Sequence, residues 1–113
     1  GEQYEIADTA TIIESAPSLP AQSWLEPNFP NPFNPETTIR FRLDEAASVT
    51  LTIFDVAGRR VRTLVEQRRH LASAYDVVWN GRDEAGERVA SGVYVIRLRA
   101  GTGLQTRKML LMK

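Results

Sequence analysis

From Glu36 onward, polar and apolar residues alternate along most of the chain. In 38–43 and again in 48–53, every second side chain is apolar, which places the apolar set on one side of an extended strand and leaves the other side in water. The same pattern predicts strands at 60–65, 75–79, 92–99 and 104–112, with a seventh near 24–29. About seven short strands predict an all-β fold, an immunoglobulin-like antiparallel sandwich of two sheets.

Short polar segments separate the predicted strands. Gly58 and the pair Asn80 and Gly81 mark turns, because Asn and Gly tolerate the left-handed backbone conformation. The segment 101–103 predicts the hairpin loop before the last strand. The stretch 66–74 is poorly defined, and a brief helix over 64–74 is the alternative there.

The first 22 residues differ in composition from the rest. Up to Glu26 the chain holds five acidic residues and no basic one, whereas the remainder holds nine acidic and 14 basic residues. All six prolines lie between Pro17 and Pro35, and proline-rich segments suit extended spacers. We therefore interpret 1–22 as a linker or the tail of a preceding domain and 23–113 as the domain itself. An edge strand built on Tyr4 and the isoleucines that follow it is the alternative.

The sequence holds few residues that could carry out catalysis or bind a metal, a cofactor or a nucleic acid. Basic and acidic residues number 14 each, whereas duplex binding relies on an excess of basic charge. The chain has no cysteine and one histidine, His70, and no serine lies in a nucleophile elbow. We predict no catalysis, no cofactor, no metal and no nucleic-acid partner.

Five segments resemble a known family. They are 27–39 (PNFPNPFNPETTI), 53–59 (IFDVAGR), 78–86 (VWNGRDEAG), 90–94 (ASGVY) and 106–113 (TRKMLLMK). In this order they resemble the type A C-terminal sorting domain of the type IX secretion system, which overlaps in sequence with the Ig-like domain of the flagellar hook-capping protein. Two departures from the family pattern, at 71–74 and at Asn80, fall in loops.

The resemblance implies a role in protein export. Such a domain resembles an export tag: machinery in the outer membrane recognises the folded domain, with its last strands critical, and passes the attached cargo to the cell surface. In many members the tag is then removed. For this chain the resemblance implies an upstream cargo domain, outer-membrane secretion machinery as the partner, and a secreted or cell-surface location.

The residues predicted for partner recognition belong to the last predicted hairpin. They are Gly92, Val93, Tyr94, Arg107, Lys108, Met109, Leu110, Leu111, Met112 and Lys113. The apolar run 109–112 has two compatible interpretations. Either both faces of the strand are buried, or the strand lies at a sheet edge and offers unpaired N–H and C=O groups to a partner.

Aromatic and basic side chains carry further predictions. Phe29 and Phe33 are expected to anchor a stiff proline-rich segment along the sandwich edge, and Trp79 is expected to be buried. The arginines within 59–62 and 68–70 indicate a solvent-exposed face. The alternative is that they bind an anionic surface polysaccharide.

Two other functions stay open. A carbohydrate-binding accessory module of a secreted hydrolase would need an exposed row of aromatic side chains, for which Trp24, Trp79, Tyr75 and Tyr94 are the candidates. A structural Ig-like assembly domain would instead self-associate.

Overall fold

The computed structural model of the protein describes residues 23–113, so the predictions for 1–22 lie outside the described residues. Within this range the strands are β1 (Ser23–Leu25), β2 (Thr37–Leu43), β3 (Ala47–Asp55), β4 (Arg60–His70), β5 (Ser73–Trp79), β6 (Gly92–Ala100) and β7 (Gly103–Leu111). They form two antiparallel sheets, with strand orders β1-β2-β5 and β4-β3-β6-β7. The predicted all-β, Ig-like sandwich is confirmed.

The apolar side of each strand forms the core between the two sheets. In β2, Ile39, Phe41 and Leu43 are buried, whereas Arg40 and Arg42 are exposed. The same alternation holds in β6, and in β3 it is interrupted only by Thr52, which is buried between Leu51 and Ile53. Since burying one large apolar side chain contributes about 1.5–3 kcal/mol, this alternation decides which face of each strand packs inward.

Trp79 lies at the centre of this core and is fully buried, as predicted. Its ring centroid is 5.7 Å from that of Phe33 and 5.4 Å from that of Tyr94. Its Nε1 donates a hydrogen bond to the backbone oxygen of Arg82 at 2.9 Å. The indole therefore connects β5 with β6, the proline-rich segment and the loop after β5, with its one polar atom satisfied.

The course of β4 corrects the prediction for 66–74. The strand continues to His70, past the predicted end at 65, and β5 begins at Ser73, so the alternative helix is wrong. Residues 47–54 of β3 face all 11 residues of β4 through three register shifts, and Gln67 has a φ of 42°. Each shift is a β-bulge, which changes the side on which the next residues lie. Because of these shifts, buried and exposed residues do not alternate along β4 as they do along a regular strand.

The proline-rich segment corrects two further predictions. β1 ends at Leu25 instead of continuing toward Phe29, because Pro27 has no N–H for a ladder. Phe33 is buried as predicted, but Phe29 is 79% exposed, so its assignment as an anchor is wrong. Phe29 contributes through its backbone, which exchanges hydrogen bonds of 3.0 and 2.8 Å with Thr38.

The loop between β5 and β6 (80–91) is held by its own side chains. The Asp83 carboxylate accepts two backbone N–H groups of this loop, at 3.0 and 2.9 Å. The Glu84 carboxylate accepts the N–H of Thr63 at 2.7 Å and so joins the loop to β4. Gly81 has a φ of 76°, and a Cβ there would lie 3.0 Å from the carbonyl oxygen of Pro35, so this turn requires glycine.

Candidate functional site

The ten residues predicted for partner recognition lie in one hairpin, β6–β7, or directly after it. The hairpin pairs Gly92 with Leu111, Val93 with Leu110 and Tyr94 with Met109. Arg107 and Lys108 precede these residues on β7, and Met112 and Lys113 follow its end. The structure therefore brings all ten to one end of the four-stranded sheet.

The side chains of the hairpin divide into a buried and an exposed set. Tyr94, Met109 and Leu111 belong to the core. Arg107, Lys108, Met112 and Lys113 are exposed, and Leu110 is half-buried on the outer face. Because 109–112 alternates in this way, the interpretation that buries both faces of the strand is wrong.

Tyr94 fixes the beginning of the hairpin. Its hydroxyl donates to the backbone oxygen of Ala90 at 2.6 Å, an arrangement typical of Ig-like sandwiches. Burial raises the pKa of Tyr94, and the charge of Asp55 raises it further. The phenol therefore stays protonated at neutral pH and keeps its hydrogen bond.

The segment 31–33, called the strap below, covers the end of the β7 edge. The N–H of Leu110 donates to Oδ1 of Asn31 at 2.9 Å, and the carbonyl of Leu110 accepts the N–H of Phe33 at 3.0 Å. The N–H of Met112 donates to the carbonyl of Phe33 at 3.0 Å. The free edge predicted from the sequence is therefore closed at 110–112.

Upstream of the strap, the β7 edge is regular. Its pairing with β6 runs one residue to one residue from Gly103 to Leu111. Since backbone groups alternate in direction along a strand, the groups that face outward like those of Leu110 belong to Lys108, Thr106 and Leu104. All three residues are exposed, and no strand or bridge within 23–113 pairs with their outer side.

β1 meets β7 across the seam between the two sheets. The side chain of Gln105 accepts the N–H of Leu25 at 2.6 Å, and Nε of Arg107 donates to the carbonyl of Leu25 at 2.6 Å. The outer edge of β1 is thus satisfied by side chains of β7. A cavity of about 370 Å³ opens at this seam, lined by these three residues with Trp24 and Thr106.

The aromatic candidates for a carbohydrate platform do not form an exposed row. Trp79 and Tyr94 are buried, and Tyr75 is half-buried with its ring centroid 5.3 Å from that of Phe41. Of the four, Trp24 alone has half of its surface exposed, at 51%.

The basic clusters lie in the turn after β3 and along β4. Arg59 pairs with Asp55 at 3.0 Å in the turn after β3, and the remaining arginines of these clusters belong to the bulged strand β4. Among residues 23–113, no group of three or more His, Asp or Glu side chains is placed to hold a metal ion. Within the same residues, no helix is long and apolar enough to cross a membrane.

A family model now identifies the class of domain. Residues 31–103 match the FlgD Ig-like domain, and the chain belongs to this family. No curated protein matches the chain at a significant level.

Solved structures of similar fold come from two kinds of protein. PorZ of Porphyromonas gingivalis, described as an essential bacterial surface component of the type IX secretion system, is 23% identical with a TM-score of 0.55 over 79% of this chain. Dimeric latent PorU from the same organism is 20% identical with a TM-score of 0.62 over 83%. FlgD from P. aeruginosa is 19% identical with a TM-score of 0.55 over 83%.

These likenesses differ in how much of the other protein they cover. The chain covers 78% of the FlgD structure, but only 11% of PorZ and 10% of PorU. At these identities the likeness establishes a shared fold, and it corresponds to one small part of each Porphyromonas protein.

Proposed function

We propose that this domain is a non-catalytic sorting and anchoring module, which directs an attached protein through the type IX secretion system to the cell surface. The observation that carries the proposal is its likeness to domain-sized parts of PorZ and PorU. The cargo would lie upstream in the same chain, and the partner would be the secretion machinery of the outer membrane. An anionic surface polysaccharide is a further candidate partner.

The β6–β7 hairpin is the element that the machinery would recognise. It is rigid, because Tyr94, Met109 and Leu111 fix it to the core. It also presents Lys108, Met112 and Lys113 at the surface, beyond the buried positions. A partner could therefore contact these side chains without unfolding the domain.

The test is export of a reporter fused to the N-terminus of the chain, in a host with a working type IX system. Deletion of 104–113 should abolish surface display, but it also removes core residues Met109 and Leu111. The sharper variant combines Lys108→Glu with Met112→Ser and Lys113→Glu, three exposed positions, and keeps the Met112 N–H that bonds to Phe33. We expect this variant to stay folded and to lose display.

The matched control for that variant is Arg69→Glu with Leu71→Ser, two exposed positions on the other side of the fold. This control should display the reporter as the parent does. Unchanged display of the hairpin variant, or equal display in a host whose type IX system is disabled, would contradict the proposal.

A structural assembly domain is the second candidate, because the family match is to the FlgD Ig-like domain and the chain covers 78% of a FlgD structure. This alternative predicts self-association of the purified chain. A single monomeric mass across a wide concentration range would count against it.

A further inference from the structure

We propose that the β7 edge from Leu104 to Lys108 binds an extended acidic peptide segment, which joins the four-stranded sheet as a fifth strand beside Trp24. The inference goes beyond the export role, since it concerns a ligand that the purified chain would bind without any secretion machinery. It rests on the backbone of β7, the cavity at the seam and the charge of the hairpin.

The backbone of this stretch is ready for pairing. β7 matches β6 residue for residue, so its outward N–H and C=O groups keep an even spacing. An edge of this kind is a template for another strand. The strap already uses the same edge further along, where Phe33 forms a parallel bridge with Leu111. The geometry of β7 therefore accepts an extended segment, and the strap stops short of Lys108.

The exposed indole of Trp24, at the seam, supplies an apolar contact for such a segment. The cavity at the seam has a volume of about 370 Å³ and is lined by Trp24, Leu25, Gln105, Thr106 and Arg107. Trp24 is 51% exposed although it lies beside this cavity. In a strand paired with Thr106, alternate side chains would lie on the face toward Trp24. The side chain nearest the indole would preferably be apolar.

Charge selects an acidic ligand. From Gly92 to Lys113 the hairpin holds five basic residues and no acidic one. On β7, Arg107 and Lys108 lie within the open stretch, and Arg97 and Arg99 of β6 lie opposite Thr106 and Leu104. Glutamate or aspartate in the added strand would therefore be attracted by the net positive charge of the hairpin.

The same charge argues against a second copy of this chain as the occupant. Antiparallel pairing of two β7 edges centred on Thr106 would bring two hairpins of five positive charges each into contact. Like charges placed together across an interface are unfavourable. An acidic strand meets no such repulsion.

The test is titration of the full chain with a capped nine-residue peptide that alternates glutamate with valine or threonine. Trp24 reports binding through a shift of its fluorescence to shorter wavelength, since Trp79 is already fully buried. Amide hydrogen exchange provides a second readout: the N–H groups of Thr106 and Lys108 should become protected. A peptide with lysine in place of glutamate, and one with N-methylated backbone on its pairing side, should give neither signal.

Three variants locate the site. Thr106→Pro removes one outward N–H without breaking the ladder to β6, because proline is tolerated on the free side of an edge strand. It should abolish binding, whereas Thr106→Ala, which keeps the N–H, should bind like the parent. Lys108→Glu should weaken binding roughly 10-fold at low salt, with a smaller loss at high salt. Circular dichroism and thermal unfolding verify that each variant is folded.

Several outcomes would overturn the inference. These are no binding of the acidic peptide, equal binding of the acidic and lysine peptides, full binding by the folded Thr106→Pro variant, and a dimer of the chain joined through β7. None of them bears on export of a reporter, which the surface variant of the hairpin tests separately. Loss of export by that variant would leave this inference standing.

Discussion

The four-stranded sheet has two edges, β4 and β7, and they are built in opposite ways. β4 carries three register shifts against β3 and a residue of positive φ, Gln67, and the loop 80–91 covers its beginning through Glu84. β7 pairs with β6 without any shift, and within residues 23–113 the strap bonds to the backbone of its outer side only at its end. Bulges bend a strand and prevent a further strand from pairing with it, whereas a regular edge can pair with a further strand.

The difference teaches where this domain can accept a partner. A small sandwich has several exposed edges, and each is an aggregation hazard unless something blunts it. Here the arginine-rich edge is blunted by its own irregular backbone. On the edge that contains the predicted recognition residues, the outward backbone groups of 104, 106 and 108 pair with no strand of the described part of the chain.

The largest expected effect concerns the division of β7 into a buried and an exposed face. Leu111→Ala should lower the free energy of unfolding by about 2–5 kcal/mol, because Leu111 is a fully buried core residue. Leu104→Ala on the same strand, where Leu104 is 53% exposed, should change it by less than about 0.5 kcal/mol. Urea unfolding measures both. Equal losses would show that β7 is not divided into a buried and an exposed face.

Removing the cover of each edge should give unequal results. Asn31→Ala takes away the acceptor for the N–H of Leu110, and Glu84→Ala takes away the acceptor for the N–H of Thr63. Each should cost about 1 kcal/mol of unfolding free energy. Only Asn31→Ala should strengthen binding of the acidic peptide, since it lengthens a regular edge. Titration of both variants with that peptide checks this, and stronger binding by Glu84→Ala would reverse the comparison.

The turn that leads into β4 should make the stability of the protein depend on pH in the acid range. The backbone N–H of Arg59 and then the charge of its guanidinium lower the pKa of Asp55 in the folded protein. The ionised carboxylate therefore adds stability above its unfolded pKa, near 3.8, and this contribution disappears as the pH falls through the lowered folded value. Asp55→Asn should make the loss of stability below pH 4 shallower, as thermal unfolding against pH would record. An unchanged acid profile would contradict this assignment.

The smallest expected effect concerns the bulge at Gln67. A side chain at φ 42° is strained by about 1–2 kcal/mol, and glycine relieves this at an entropic cost of about 0.5–1 kcal/mol. Gln67→Gly should therefore stabilise the protein slightly, by about 0.5 kcal/mol. Gln67→Val should destabilise it, since β-branched residues tolerate positive φ poorly. Equal stabilities of the two variants would show that β4 is not held in this conformation.

The sequence predicted most of the fold because alternation survives wherever strands are regular. Ile39, Phe41 and Leu43 face inward as expected, and the buried Trp79 followed directly from its place at a strand end. The pattern failed in β4, where bulges change the facing of side chains without leaving any local mark in the residue types.

The candidate site was only partly predictable. The alternation of 92–99 and the loop 101–103 were enough to predict the hairpin, but the coverage of β7 by Asn31 and Phe33 depends on contacts across 79 positions of sequence. The position of Phe29 in a proline-rich motif suggested that its side chain is buried. Instead the side chain is exposed, and its backbone forms hydrogen bonds with Thr38. The acceptor role of Gln105 toward Leu25 has no sequence signal of its own.

Amide hydrogen exchange of the free chain tests the contrast between the two edges most directly. The N–H groups of Thr106 and Lys108 should exchange rapidly, while those of Arg107 and Met109, which pair with β6, and of Leu110, which bonds to the strap, should be protected. Protection of Thr106 and Lys108 equal to that of Leu110 would mean that the open stretch is already covered, and would contradict the account.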